Sequence, residues 1–317
     1  MYTKQDLTEI MTLWGLKFER SAFNLKVSGS PERTSFRTVV RADGKLYLVE
    51  QVPKKIKSRK EEIINNLEIL HKKGNINNIK KYLKPLDGSI LAQYQGLYWQ
   101  VSPFVPGVSL DRSSYIKDSW RGIAAANFLI NMKNISAEIE SGGSFSLLDY
   151  VNDLMNVIKE HSPGIHEELL PVFHYLKGDF FSSLEDLPLA FCHGDFHPIN
   201  IIWSHNSIAS VIDWEFSGYR CEMYDVALMI GCLGIEDPSA FYSGFAKDFV
   251  KQLRAANIFD ERSWSYLIDL ILMQRFAWMS EWLRKSDKEM QVLELTYIHL
   301  IFDNYDVIRG MLFGINQ

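Results

Sequence analysis

This chain has little that could form a disulfide framework, a membrane span or a nucleic-acid surface. Its three cysteines, Cys192, Cys221 and Cys232, are few for 317 residues and make no Cys-x-x-Cys pair. Free thiols in a reducing compartment are the simplest account of that pattern. The apolar neighbours of Cys192 predict a buried, inert thiol. No apolar run reaches the ~18 residues that a transmembrane helix needs. The start of the chain carries Lys4, Asp6 and Glu9 where a signal peptide would be apolar, so a cytoplasmic protein is expected. Positive charge is not in excess. The 34 basic and 39 acidic residues leave a net charge of −5, which gives no reason to expect a nucleic-acid partner. Neither internal repeats nor low-complexity tracts are visible. His166 and His174 have no cysteine or carboxylate at a metal-ligating spacing and read as ordinary helix residues.

What remains is an ordinary globular composition, 47% hydrophobic and 23% charged, in a chain long enough for two lobes around one cleft. Leu7, Ile10, Met11 and Trp14 recur at helical spacing over Thr3–Trp14, with a Thr3/Asp6 capping pair and Gly15 as the stop. Phe23–Gln51 reads as a β-meander whose Asp43-Gly44 turn joins Ser35–Arg41 to Lys45–Gln51. A basic run, Lys54–Lys60, reads as the solvated start of a helix extending to Lys73. Two further strands are expected over Ile90–Tyr94 and Leu97–Ser102. Pro103-Phe104-Val105-Pro106-Gly107 then breaks the pattern and marks a boundary between residues 1–105 and 106–317. From Asp118 the chain is mainly helical, over Trp120–Met132, Leu147–His161, Tyr224–Leu233, Tyr242–Ala256, Ser263–Arg284 and Lys288–Phe313. Ser141-Gly142-Gly143-Ser144 reads as a flexible loop.

The chemistry concentrates in His193-Gly194-Asp195-Phe196-His197-Pro198-Ile199-Asn200 and in Val211-Ile212-Asp213-Trp214-Glu215 just after it. Apolar segments on both sides hold a polar loop that presents Asp195, Asn200 and Asp213. Phosphoryl transfer needs such a set: one carboxylate to orient a hydroxyl and take its proton, and oxygen ligands for Mg²⁺. Asp195 and Asn200 match the D-x-x-x-x-N spacing of a kinase catalytic loop, and Asp213 lies where a metal-binding Asp on the next strand would be. A lone His-Gly-Asp would more often be a polar surface loop that caps a helix.

These two segments, with Tyr224-Asp225-Val226-Ala227 downstream, resemble the aminoglycoside phosphotransferase and choline kinase family over about Phe191 to Gly234. The resemblance implies an α+β, bilobal, protein-kinase-like fold, with a small antiparallel β N-lobe and a larger, mainly helical C-lobe. It implies ATP and Mg²⁺ as cofactors and a small-molecule hydroxyl acceptor as partner. Asp195 would be the catalytic residue, with Asn200 and Asp213 on the metal. Ser28, Gly29 and Ser30, in a polar link with a single glycine, would face the nucleotide phosphates. Phe104 and Val105 would lend backbone groups to adenine. Asp225 would both cap its helix and brace the catalytic loop.

One position departs from the family. Kinase-like folds carry a Lys or Arg on the third strand to hold the α- and β-phosphates, and here the alignment places Glu50. A carboxylate there would repel phosphate, so a basic partner or a metal is expected, with Arg37 the first candidate. Arg41 or Lys45 could also substitute for the missing base. Glu61, Glu62 and Glu68 are candidates for the helix carboxylate that pairs with a strand Lys in kinases. Trp278 and Trp282, four apart on one helix, read either as core or as an aromatic wall for a cationic substrate. Glu215 reads either as a carboxylate for a substrate amine or as half of a structural ion pair. The rival to an active enzyme is a catalytically impaired binding or scaffold protein on the same fold, a reading that Glu50 motivates.

Overall fold

A computed structural model describes residues 2–22, 25, 27, 34–140 and 145–314. The expected phosphate link Ser28–Ser30 and the Ser141–Ser144 loop lie outside the described residues. The chain divides into two compact units. One comprises Met1–Gly107 with Ala209–Glu215, and the other Val108–Ile208 with Phe216–Gln317. The short segment carrying Asp213 thus belongs by its packing to the first unit, although a single cut at 105/106 would leave it in the second.

The first unit opens with helix α1 (Lys4–Thr12), which Thr3 and Asp6 cap reciprocally as their spacing predicts. Five antiparallel strands follow: β1 (Phe18–Ser21), β2 (Phe36–Ala42), β3 (Lys45–Val52), β4 (Ala92–Tyr94) and β5 (Leu97–Pro103), in the order β1-β2-β3-β5-β4. Asp43 and Gly44 both have positive φ, the conformation a tight hairpin needs, and they set the register that pairs Arg37 with Glu50. One sheet face buries Val40, Ala42, Tyr47, Val49, Trp99 and Val101 against Leu7, Ile10, Met11 and Trp14 of α1. Side chains alternate along β3, so Glu50 falls on the opposite face with its register partner Gln100. Helix α2 (Lys57–Lys72) buries Ile63, Leu67 and Leu70.

The second unit is mainly helical: α3 (Ser119–Ile135), α4 (Leu147–His161), α5 (Pro163–Leu176), α6 (Asp179–Leu184), α7 (Tyr224–Glu236), α8 (Gly244–Ala256), α9 (Glu261–Ser265), α10 (Leu267–Arg284), α11 (Lys288–Asp303) and α12 (Tyr305–Phe313). Short strands β6 (Leu189–Cys192), β7 (Ile201–Trp203) and β9 (Gly218–Cys221) belong to it, while β8 (Ile208–Val211) runs into the segment of the first unit that carries Asp213. Two expected single helices are each broken once. Between α9 and α10, Tyr266 leaves helical geometry and its hydroxyl donates to Asp179. Between α11 and α12, Asn304 leaves helical geometry and its amide donates to Leu300 O. Helix α10 is buried without interruption from Leu267 to Phe276, polar residues included. Those are paired: Tyr305 donates to Asp269 at 2.6 Å, Gln274 donates to Tyr224 O at 2.8 Å, and Arg275 binds Glu294 through two bonds of 2.5 and 2.6 Å. Among the described residues, no helix is long and apolar enough to cross a membrane.

Candidate active site

The loop His193–Asn200 leaves β6 while β9 returns beside it, with Cys192 opposite Gly218. Gly194 makes the first turn at φ +80°, and a Cβ there would lie 2.1 Å from Phe216 O. Only glycine fits, on both conformational and steric grounds. The loop is then held by its own polar groups and by α7. The Asp225 carboxylate accepts from His193 N at 2.6 Å and from Gly194 N at 2.9 Å. The expected brace is therefore present, but the expected cap is not: α7 has Met223 at its N-cap with no side-chain capping bond, and Asp225 lies within the first turn. His193 Nδ1 accepts from Asp195 N at 3.1 Å. Below the loop, Phe196 stacks on Phe128 of α3 at 5.4 Å, and Trp203 Nε1 donates to Pro198 O at 3.1 Å.

These restraints fix the two polar side chains of the motif. The Asn200 amide donates to Asp195 O at 2.9 Å and to Asp195 Oδ2 at 2.8 Å. With its nitrogen committed to Asp195, the carbonyl oxygen of Asn200 is the atom suited to a cation. Asp195 Oδ1 lies 3.6 Å from His197 Nε2. Burial alone would push the Asp195 carboxyl up, but the neighbouring His197 and His193 and the Asn200 amide together hold it below its ordinary value. Asp195 is therefore ionised at neutral pH and ready to accept a hydrogen bond from a hydroxyl. Asp225 goes the other way. Full burial lifts its carboxyl to about 6, against the two backbone donors that favour its charged form.

In the first unit, the segment leading to Asp213 is clamped by residues that follow α2. Val211 N donates to Asn78 O at 2.8 Å, Lys80 N donates to Val211 O at 3.2 Å, and Ile79 bridges Val211 in parallel. Asp213 itself adopts φ +66°. That left-handed conformation is tolerated by Asp better than by most residues, and such departures concentrate at functional sites.

Glu50 lies on the same side of this unit, 1% exposed. It is not left unpaired. Arg37 Nη2 is 2.5 Å from Oε1, as expected, while Lys80 Nζ at 2.6 Å and Gln100 Nε2 at 3.0 Å donate to Oε2. Burial would push its carboxyl up, but the Lys80 and Arg37 charges win and bring it down to about 2. Lys80, which no sequence motif singles out, is the partner that sequence reasoning missed. The helix carboxylates proposed as kinase-type partners face elsewhere. Glu61 pairs with Lys57, Glu62 with Arg59, and Glu68 with Lys72 and Lys84. From α2 it is Lys60 that turns inward, 3% exposed, so the basic run is not wholly solvated. The Lys60 ammonium meets the Glu215 carboxylate. Glu215 thus forms the structural ion pair, and a substrate amine would have to compete with Lys60. Tyr82 lies close enough to Glu50, Glu215 and Asp213 to feel all three charges. Burial and those charges raise its hydroxyl well above the ordinary value.

The remaining expected residues have defined places. Phe104 N donates to Leu46 O at 2.9 Å, extending the sheet by one bond. Trp278 and Trp282 stack at 5.9 Å on α10, and Trp278 meets His197 edge-on at 6.3 Å. Both rings already carry cations of the protein: Arg275 lies 5.5 Å from Trp278 and Lys285 lies 5.2 Å from Trp282. The Trp282 indole N–H is also committed, donating to Glu294 at 3.1 Å. All three cysteines are free thiols, with Cys192 and Cys221 buried.

Residues 27–265 match the sequence model of the Phosphotransferase enzyme family (APH). No curated protein sequence matches the chain. Among solved structures, an aminoglycoside phosphotransferase from Alicyclobacillus acidocaldarius subsp. acidocaldarius is similar at a TM-score of 0.65 and 11% identity, covering 96% of this chain and 94% of that one. The GDP and kanamycin complex of APH(2")-IIia gives 0.66 at 15% identity, with 95% and 99% covered. A choline/ethanolamine kinase family protein from Mesorhizobium loti gives 0.63 at 15% identity, with 92% and 91% covered. At these identities the likeness establishes the fold: an α+β chain of the kinase-like type.

Proposed function

Because the chain belongs to the Phosphotransferase enzyme family, we propose that it transfers the terminal phosphoryl group of ATP to a hydroxyl of a small molecule such as an amino alcohol or an aminoglycoside. The observation that carries this reading is the braced loop, in which Asp225 holds the His193 and Gly194 amides and Asn200 holds Asp195. That loop offers an ionised, oriented carboxylate at the D-x-x-x-x-N position.

Asp195 accepts the hydrogen bond of the acceptor hydroxyl and aims its oxygen at the γ-phosphorus. The new oxygen–phosphorus bond forms as the bond to the β-phosphate oxygen breaks, and the hydroxyl proton passes to Asp195. Its low pKa makes Asp195 a better orienting group than a base, so the proton moves late, when the oxygen has become acidic. The donor set also suits Mg²⁺, which takes hard oxygen ligands and needs few from the protein. Asn200 would supply a carbonyl oxygen and Asp213 a carboxylate oxygen. When bound, the ion would neutralise negative charge on the phosphates. The Phe104 carbonyl and the Val105 backbone would meet the base, and Ser28–Ser30 the phosphates. The edge of Trp278 beside His197 would form part of the acceptor wall. A cytoplasmic location belongs to the same reading, and the free thiols support it.

A screen of hydroxyl-bearing metabolites for ADP release with Mg·ATP tests the proposal, with Asp195→Asn as the control. Release that depends on both the acceptor and Asp195 is expected. A binding or scaffold protein on the same fold is the second reading, motivated by Glu50. It predicts nucleotide binding with no turnover on any acceptor.

A further inference from the structure

The missing strand base leaves the inner phosphates of the nucleotide without an evident ligand, and the charges around Glu50 point to one. Three bases, Arg37, Lys60 and Lys80, surround two acids, Glu50 and Glu215. The three bases differ in how far each is already committed. Lys60 is 3% exposed and its ammonium is on Glu215. Arg37 reaches Glu50 from β2, one strand farther from β5, and is fixed by the cross-strand register. Lys80 differs in two respects. Its backbone is bonded to Val211, two residues before Asp213, so it is tied to the segment that leads to the expected metal ligand. Its side chain keeps 14% exposure, and Glu50 takes only one of the three donors of its ammonium. The Tyr82 ring, 5.0 Å from Nζ, supports it from the side.

Resting on the reading given under Proposed function, we infer that the Lys80 ammonium, anchored on Glu50, is the ligand for the nucleotide's inner phosphates in this chain. The lysine–glutamate pair of a kinase is kept, but its ends are exchanged: the acid stands on strand β3 and the base on the segment after α2. Glu50 is then a positioning residue. It holds Lys80 charged and aimed, as a helix carboxylate does for a strand lysine. The departure from the family pattern at Glu50 is thereby compensated by a lysine 30 positions away.

Calorimetric titration of the full chain with ADP and with adenosine, in Mg²⁺, tests this inference. Lys80→Met is expected to weaken ADP binding about 10- to 100-fold, the worth of one charge-assisted hydrogen bond, and to leave adenosine binding unchanged. That variant strands a buried carboxylate, so the double variant Glu50→Gln/Lys80→Met is measured beside it. The double variant should fold and show the same selective loss. In the unsubstituted chain, ADP should also protect Lys80 from acetylation. Wild-type ADP affinity in a folded Lys80 variant would overturn the inference, as would an equal loss for adenosine, or a loss in Lys60→Met or Arg37→Met that Lys80→Met lacks. If the unsubstituted chain binds neither ATP nor GTP, the function proposed above falls and this inference falls with it. If it binds nucleotide and the Lys80 variants bind as well, only the inference falls.

Discussion

Replacing Asp225 by alanine removes the one carboxylate that accepts from both His193 N and Gly194 N. Two buried backbone donors would lose their partner, at a cost of roughly 1–3 kcal/mol each. Against that stands a relief. The Asp225 carboxyl is raised by burial from 3.8 to about 6, so keeping it ionised at neutral pH costs about 3 kcal/mol. The two effects largely cancel at pH 7.5, and the net loss of stability should be at most about 3 kcal/mol. The sign of the pH dependence follows from the raised value. A group whose folded pKa exceeds its unfolded one contributes stability that is fully present below the unfolded pKa and lost as pH rises through the folded one. For Asp225 that window runs from 3.8 up to about 6. The gap between the native chain and Asp225→Ala should therefore widen by about 1 kcal/mol between pH 7.5 and pH 5.0. Urea unfolding of both chains at the two pH values measures it. Turnover should fall much further than stability, because the loop that aims Asp195 loses its brace. A stability gap that does not change with pH, together with undiminished turnover, would refute the reasoning.

Three other substitutions follow from the geometry. Asp195→Asn should keep the fold and nucleotide binding while turnover falls by ~10²–10⁴-fold, measured as ADP release on the true acceptor. Asp213→Ala should weaken Mg²⁺-dependent ATP stabilisation more than Asn200→Ala does, because a carboxylate gives the ion a full charge and an amide only a dipole. A Mg²⁺ titration of the thermal shift checks the order of the two. Arg275→Met should destabilise the chain by about 3–5 kcal/mol, since it strands the fully buried Glu294 carboxylate. Adding Glu294→Leu should recover most of that loss in a denaturant melt.

Local chemistry was the readable part of this chain. The Thr3/Asp6 cap, the Asp43-Gly44 hairpin and the facing pair Arg37 and Glu50 each depend on a few residues at fixed spacing, whereas the Asp225 brace, which joins segments 32 residues apart, was legible only through the family resemblance. What escaped depends on contacts between distant segments. Lys80 follows a helix in an irregular stretch, and only its bond to Val211, far along the chain, brings it to Glu50. Lys60 looked like one more solvated lysine because the Lys54–Lys60 run has no periodicity that singles it out. Its burial depends on Glu215, which is distant in sequence. The breaks at Tyr266 and Asn304 were hidden for a related reason. Apolar periodicity continues through both; the Tyr266 hydroxyl finds its partner in the distant Asp179, and the Asn304 amide turns back onto Leu300 O of its own helix. The sequence leaves both readings of Trp278 and Trp282 open, because it does not show the Arg275 and Lys285 charges that lie against the rings.

The central claim is that this chain moves a phosphoryl group from a nucleotide to a small hydroxyl compound using Asp195. The most direct measurement is transfer of γ-labelled phosphate from Mg·ATP, and in parallel Mg·GTP, to a panel of amino alcohols, aminoglycosides, hydroxy amino acids and sugars, with Asp195→Asn beside the unsubstituted chain. The account predicts a labelled phosphate ester with at least one acceptor, and its loss by ~10²–10⁴-fold in Asp195→Asn. Labelled ester formed equally by both chains, or nucleotide bound with Mg²⁺ and no ester from any acceptor class, would contradict it.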